Sequence, residues 1–252
     1  MLPVPIDSDT AEKSLLHLSL QLPPFKRCVF PLAEKIRLVD SRGLLRINDD
    51  KIDILVELSG HTDNNRLVSF TAKPATVQLS YIGYPNSTGL RQMGYRITDY
   101  WADPVGSTEQ WHTEELVRMD NCFLCYRPAD DAPDVASAPV LKSGNITFGS
   151  FNNLAKITPE VIEVWSSILS AVPDSRLVIK NKSFTDDSTR DIYMQQFKLN
   201  RIEEDRVDLR TPVFATSGHL EMYGDVDIAL DPFPYHGTTT TFEALYMGVP
   251  VI

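Results

Sequence analysis

Two polar loops hold the residue types from which a reaction site can be built. One reads Asp231-Pro-Phe-Pro-Tyr-His-Gly-Thr-Thr-Thr-Thr-Phe-Glu243. Pro232 and Pro234 stiffen the chain, and Gly237 lets the backbone approach a ligand closely. Thr238 to Thr241 then open a helix, whose start has unpaired N–H groups and a partial positive charge, with hydroxyls as extra donors. Gly237, Thr238, Thr239 and Thr240 can thus cradle a diphosphate without a cluster of basic residues. Glu243, about one turn in, is placed to accept hydrogen bonds from a ribose diol. The plainer reading is a threonine-rich cap with a solvent-facing glutamate, but four successive threonines after a glycine exceed what capping needs.

The other loop reads Gly149-Ser-Phe-Asn-Asn-Leu-Ala-Lys156. Lys156, two residues before a helix cap, can meet a phosphate or leaving-group oxygen as a point charge, or it is an ordinary solvated lysine. Asn152 and Asn153 offer both donors and acceptors. His61 follows Ser59-Gly60, beside Asp63, Asn64 and Asn65. It is either a general base or acceptor-binding group, or a hydrogen-bonded residue that shapes its loop. His219, near the start of a short helix, reads as a contact for a nucleotide base or as part of the helix cap. His236 reads as a loop residue. Cys122 and Cys125 form a lone CxxC with no second cysteine pair or histidine pair, so strand packing is expected there and no metal site. Neither GxGxxG nor GxxxxGK[ST] occurs, which argues against dinucleotide redox and P-loop chemistry. No cofactor is expected.

The elements that must position these loops follow from hydrophobic pattern. Apolar runs predict strands at 54–58, 77–82, 95–98, 115–119, 146–148, 176–180, 207–209, 227–230 and 249–252. Helices are expected at 159–172, 187–199, 217–223 and 239–247, with short ones at Ala11–Leu20 and Ala33–Val39. Thr158 caps the first of the four and Pro159 opens it, with Val161, Val164, Trp165, Ile168, Leu169 and Val172 as one apolar stripe. Alternating strands and helices predict an α/β fold with a doubly wound parallel sheet in the C-terminal half, because parallel strands need crossover helices. Ligands of such sheets sit beyond the carboxyl ends of the strands, where both polar loops lie. Residues 1–45 are weakly patterned, and 46–130 and 143–252 are expected to form two lobes joined by a Pro/Ala/Asp-rich linker at 131–142.

The chain has 252 residues, with 24 basic and 34 acidic side chains and a formal charge of −10. It is long enough for a substantial core. No apolar run approaches a membrane span, and the start lacks the pattern of a secretory signal. The acidic balance, with no Lys/Arg run, makes nucleic acid an unexpected partner. Three cysteines are too few for a disulfide scaffold, which fits a reducing compartment.

The segments DILVELSGHTDNN (53–65), GYPNSTGL (83–90), YRITDYWADP (95–104), FGSFNNLAKITPEV (148–161) and DPFPYHGTTTTFEALYMGVPVI (231–252) resemble the catalytic region of glycosyltransferase family 41. That family holds intracellular O-GlcNAc transferases and SPINDLY-type protein O-fucosyltransferases. The unbroken threonine run and LAKITP favour the SPINDLY type, since O-GlcNAc transferases usually carry His-Thr-Thr at positions 238–240. Asp53, where O-GlcNAc transferases carry a histidine, agrees. The resemblance implies a GT-B fold of two Rossmann-like lobes, no metal ion, and inversion at the anomeric carbon. It implies transfer of fucose from GDP-fucose to Ser/Thr of nuclear and cytoplasmic proteins. The alternatives are GlcNAc transfer from UDP-GlcNAc, or an inactive scaffold or sugar-nucleotide-binding fragment. By the same resemblance Lys156 stabilises the leaving diphosphate, Asn153 is a donor-binding amide, Thr239 and Thr240 meet the phosphates, Glu243 the ribose, and His219 the base. Family members carry tetratricopeptide repeats before the catalytic region, and no such 34-residue repeat occurs here. Family motifs at the start of the first lobe, and helices after GVPVI, are also missing. A fragment truncated at both ends is therefore expected.

Overall fold

The computed structural model describes residues 28–29, 47, 49–62, 65–213 and 216–252. The helices expected at Ala11–Leu20 and Ala33–Val39, and the residues Asp63 and Asn64, lie outside the described residues. The chain divides into two compact units, Met1–Cys125 and Tyr126–Ile252. The segment 131–142 falls within the second unit. There the Val140 N–H donates to Asp227 Oδ1 at 2.9 Å, and Ala132 packs on an apolar cluster.

In the first unit the described elements are β1 (Cys28–Val29), β2 (Ile54–Glu57), α1 (Leu67–Phe70), β3 (Val77–Ser80), β4 (Tyr95–Asp99) and β5 (Glu115–Met119). The strands form one parallel sheet in the order β1-β2-β3-β4-β5. Ile54 and Val56 join Val77, Leu79, Ile97 and Phe123 in one cluster, while Leu55 joins Leu67, Phe70, Ala75 and Met93 in another. Alternate residues of β2 thus feed two separate clusters. That is why its sequence is a continuous apolar run and does not alternate.

The second unit contains α2 (Val140–Ser143), β6 (Thr147–Ser150), α3 (Pro159–Ala171), β7 (Arg176–Lys180), α4 (Asp187–Leu199), β8 (Val207–Arg210), α5 (Thr216–Glu221), β9 (Ile228–Ala229) and α6 (Thr239–Tyr246). Its parallel sheet runs β8-β7-β6-β9, and Val251 bridges Ala229 in parallel on the far side. From β6 the chain winds outward through β7 to β8, then returns to the other flank of β6 at β9. Winding therefore reverses between β6 and β9, and the loops after these two strands flank a crevice at that point.

Local signals account for the helices. The Thr158 Oγ1 accepts from the Val161 N–H at 3.4 Å, Pro159 occupies the first turn, and α3 ends ahead of Pro173. Asp186 caps α4 by accepting from the Thr189 N–H at 2.8 Å. One expectation needs correction. The buried residues of α3 are Val161, Ile162, Trp165, Ser166 and Leu169, whereas Val164 is 44% exposed. The cluster holding this face also gathers strand residues and Phe197 of α4. The helix is thus covered on two sides, and its buried arc turns toward Ile162, away from a single stripe.

Candidate functional site

The loops after β6 and β9 meet at the point of reversal. Between them lies a small, open crevice lined by residues that include Phe151, Asn152, Tyr223, Asp231 and Thr240. Asp231 ties the loops together. Its Oδ1 accepts from the Gly237 N–H at 2.8 Å and from Asn152 Nδ2 at 3.3 Å, and its Oδ2 accepts from Thr241 Oγ1 at 3.4 Å. Thr240 Oγ1 donates to Asn152 Oδ1 at 3.0 Å. Gly237 is needed for this closeness, since a Cβ there would lie 2.5 Å from Thr240 Oγ1 and 2.9 Å from Asp231 Oδ1.

Lys156 reaches the same place from the β6 side. Its Nζ donates to the His236 carbonyl at 2.7 Å and sits 4.0 Å from the centre of the Tyr235 ring. Partial burial pushes its pKa below the usual lysine range, and the Asp231 carboxylate opposes that shift. Lys156 therefore reaches the loop that leads into α6, close to the Asp231 carboxylate. The threonine run is not a side-chain cap, because Thr238 occupies the cap position without a side-chain cap hydrogen bond. The Thr240 and Thr241 hydroxyls instead hold the loops together. The positive end of an eight-residue helix remains, flanked by a lysine. Asn153 accepts from the Ala155 N–H at 3.1 Å and caps the 3-10 turn Leu154–Lys156. Asn152 is the amide that spans the crevice.

A second group of polar side chains gathers where β7, α5 and α6 meet. His219 Nε2 is 2.9 Å from Glu243 Oε2, and the Tyr223 hydroxyl lies 3.1 Å from the Thr240 carbonyl and 3.4 Å from Glu243 Oε2. His219 Nδ1 contacts Lys180 Nζ, which stands 4.0 Å over the Phe151 ring. Lys180 is only 3% exposed. Burial pushes its pKa down to about 7, with Glu243 pulling the other way. Burial also raises the Tyr223 pKa well above the usual tyrosine value, and the Glu243 charge adds to the rise. Sequence reasoning missed Lys180, Tyr223 and Asp231. A lysine ending the apolar strand Arg176-Leu-Val-Ile-Lys180 was a signal, since charged residues are rarely fully buried without a partner.

His61 belongs to the first unit, in an exposed position after β2. Its Nε2 lies 2.9 Å from the Thr88 carbonyl, and its ring meets Tyr84 edge-on at 5.3 Å. A carbonyl only accepts, so Nε2 bears a hydrogen and donates to it. Thr88 is held in turn by buried Glu114, which accepts from the Thr88 N–H and the Ser87 hydroxyl, both at 2.7 Å. Glu57 accepts from the Ser59 N–H at 2.9 Å and from the Gly60 N–H. Gly60 has φ +54° and packs so tightly that a Cβ would lie 2.1 Å from Tyr84 Cβ. Among the described residues no three His, Cys, Asp or Glu side chains gather as they would around a metal ion, and Cys122 and Cys125 are free. Nor is any helix among them long and apolar enough to cross a membrane.

The sequence profile of glycosyl transferase family 41 matches residues 39–131 and 135–252. The chain belongs to glycosyltransferase family 41. Among its curated family 41 relatives are the probable UDP-N-acetylglucosamine–peptide N-acetylglucosaminyltransferases SPINDLY of Solanum lycopersicum and Arabidopsis thaliana. Each is 53% identical over 206 residues, covering 82% of this chain and 22% of the relative. The corresponding SEC protein of Arabidopsis thaliana is 31% identical over 214 residues, covering 82% of this chain and 21% of the relative. The chain thus spans about a fifth of the length of the curated family 41 relatives it matches. A solved mutant of the Thermobaculum terrenum O-GlcNAc transferase superposes with a TM-score of 0.80 at 35% identity, over 91% of this chain and 44% of that one. This family 41 chain is GT-B-like, with a doubly wound parallel sheet in its second unit and part of another Rossmann-like lobe in its first.

Proposed function

We propose that this chain is the catalytic segment of a protein O-glycosyltransferase that moves fucose from GDP-fucose to serine and threonine hydroxyls of nuclear and cytoplasmic proteins. The reaction runs with inversion and without a metal ion. The observation that carries the reading is that Lys156, from the loop after β6, meets the loop that opens α6, beside the point of sheet reversal. A departing nucleoside diphosphate develops negative charge on its leaving oxygen, and preorganised positive potential there lowers the barrier. Lys156 supplies a cation and the first N–H groups of α6 supply a dipole end. Glu243 and His219 hold the nucleoside, and the Asn152–Asp231–Thr240 network holds the loops that carry the cradle.

The fucose assignment rests on the unbroken Thr238–Thr241 run and on Leu154-Ala-Lys-Ile-Thr-Pro159. A second reading, GlcNAc transfer from UDP-GlcNAc, is favoured by the names the SPINDLY relatives carry. The test uses the full-length protein that contains this chain, with GDP-fucose or UDP-GlcNAc and an acceptor peptide library. A ligand that binds only the folded state raises the melting temperature. Stabilisation and transfer with GDP-fucose are expected. Transfer with UDP-GlcNAc alone would establish the second reading, and donor binding with no transfer would make the protein a scaffold or sugar-nucleotide-binding module.

A further inference from the structure

Lys180 has no part in the cradle described above, yet it is a cation buried at the heart of the second unit. We propose that Lys180 is a positioning residue: it donates to His219 Nδ1, fixes His219 as the Nε2–H tautomer, and thereby holds Glu243 and the charge of the crevice. This inference rests on reading the crevice as a nucleotide site.

The hydrogen-bond chemistry leads in one direction. An ammonium group has three donors and no acceptor, so a protonated Lys180 in contact with His219 Nδ1 requires that nitrogen to be bare. The neutral ring then carries its hydrogen on Nε2, and that N–H donates to the Glu243 carboxylate at 2.9 Å. Tyr223 closes the arrangement, its hydroxyl lying 3.4 Å from Glu243 Oε2. The three groups come from β7, α5 and α6, so the relay also binds the loop-bearing helices to the sheet.

Among the described residues, the titratable and charged groups packed around Lys180 come from the elements beside β7, and Asp231 and Tyr126 act on Tyr223 from further off. From α5 and the turn after it come His219 and Tyr223, and from α6 comes Glu243. From β8 comes Arg210, the register partner of Lys180, whose guanidinium is taken up by Asp208 and Asp225 at 2.7 and 2.6 Å. Arg210 is thus neutralised by its own partners, and Glu243 is the counter-charge of Lys180. With Lys180 protonated the lysine, histidine and glutamate sum to zero. Without that proton they carry one net negative charge and repel a diphosphate. Burial brings the loss of the proton to about pH 7.

The test has two independent readouts on the second unit in its full-length protein. Nitrogen-15 NMR of labelled histidine at pH 6 is expected to show His219 with a bare Nδ1 and a protonated Nε2. In Lys180→Met that single-tautomer signature is lost. An Nδ1–H tautomer in the wild type, or an unchanged His219 signal in the variant, overturns the proposal; the wild-type spectrum alone decides if the variant does not fold. The second readout is the pH profile of GDP and UDP binding by calorimetry. Wild-type affinity is expected to fall about tenfold from pH 6 to 9 beyond any fall in Lys180→Met, the effect of one charge near a diphosphate at intermediate dielectric. Parallel profiles would refute the charge role. Should neither nucleotide bind the wild type while the tautomer responds to Lys180→Met, the nucleotide reading fails and the positioning of His219 by Lys180 stands.

Discussion

Replacing Lys180 by methionine gives a quantitative check on the burial of a charge. A fall in pKa from the ordinary 10.5 to about 7 means that the folded protein gives up a proton that the unfolded chain keeps. Each tenfold change in proton affinity is about 1.4 kcal/mol, so carrying a protonated Lys180 destabilises the second unit by about 5 kcal/mol relative to a neutral one. Below pH 7 both states hold the proton and the full penalty applies. Between pH 7 and the unfolded value near 10 the unfolded state binds more protons, and stability rises with pH. Over pH 7 to 9 the gain is about 2 kcal/mol, and it is absent in Lys180→Met. Titration of groups that do not interact with Lys180 cancels in the difference between the two proteins. Trp165, 2% exposed on α3, reports unfolding of this unit by fluorescence once Trp101 and Trp111, 85% and 71% exposed, are changed to phenylalanine. In urea the wild-type midpoint is expected to rise by about 1 M over this window relative to the variant, at a slope of about 2 kcal/mol per molar. Superimposable pH dependences would show that Lys180 titrates like a surface lysine, and the argument from its burial would fall.

Lys156→Ala in the full-length protein is expected to lower kcat by about 10²- to 10³-fold with donor KM changed only a few-fold, because leaving-group charge develops after binding; steady-state kinetics with unchanged turnover would remove Lys156 from that role. Gly237→Ala drives a methyl into Thr240 Oγ1 and Asp231 Oδ1, and a loss of about 1–3 kcal/mol is expected in urea unfolding. Weaker nucleotide binding in calorimetry should accompany it, and wild-type behaviour in both would show that the loops do not close as described. Glu114 is buried, which raises its pKa, but hydrogen bonds from Thr88 and Ser87 outweigh that and leave it below the usual value. Its stabilisation is therefore present above the ordinary glutamate pKa and is lost as pH falls through the lower folded value. Glu114→Gln should destabilise the first unit by about 1–3 kcal/mol and flatten its acid loss of stability between pH 5 and 3, measured by circular dichroism.

Much of the second unit was legible in the residues because the signals were local. Thr158-Pro159 marks the start of α3, Asp186 the start of α4, and the run Leu177-Val-Ile179 a strand buried on both faces. The order of these elements made a doubly wound parallel sheet the expected packing, and such a sheet directs attention to the loops after its strands. Lys156 and the Thr238–Thr241 run were found that way. The α3 stripe was misjudged because hydrophobic period fixes a face only to within the width of what covers it. Neighbours from two directions chose Ile162 over Val164.

What sequence alone determined about this protein is the succession of strands and helices and the residue types in two polar loops, since these depend on neighbours a few positions apart. Only tertiary structure decided that Asn152, not Asn153, spans the crevice, that Asp231 joins loops otherwise 79 positions apart, and that Lys180, His219 and Glu243 share a proton network. Those meetings arise from the reversal of winding between β6 and β9, which brings side chains distant in the chain within hydrogen-bonding range. No local pattern encodes a distance set by the order of strands in a sheet.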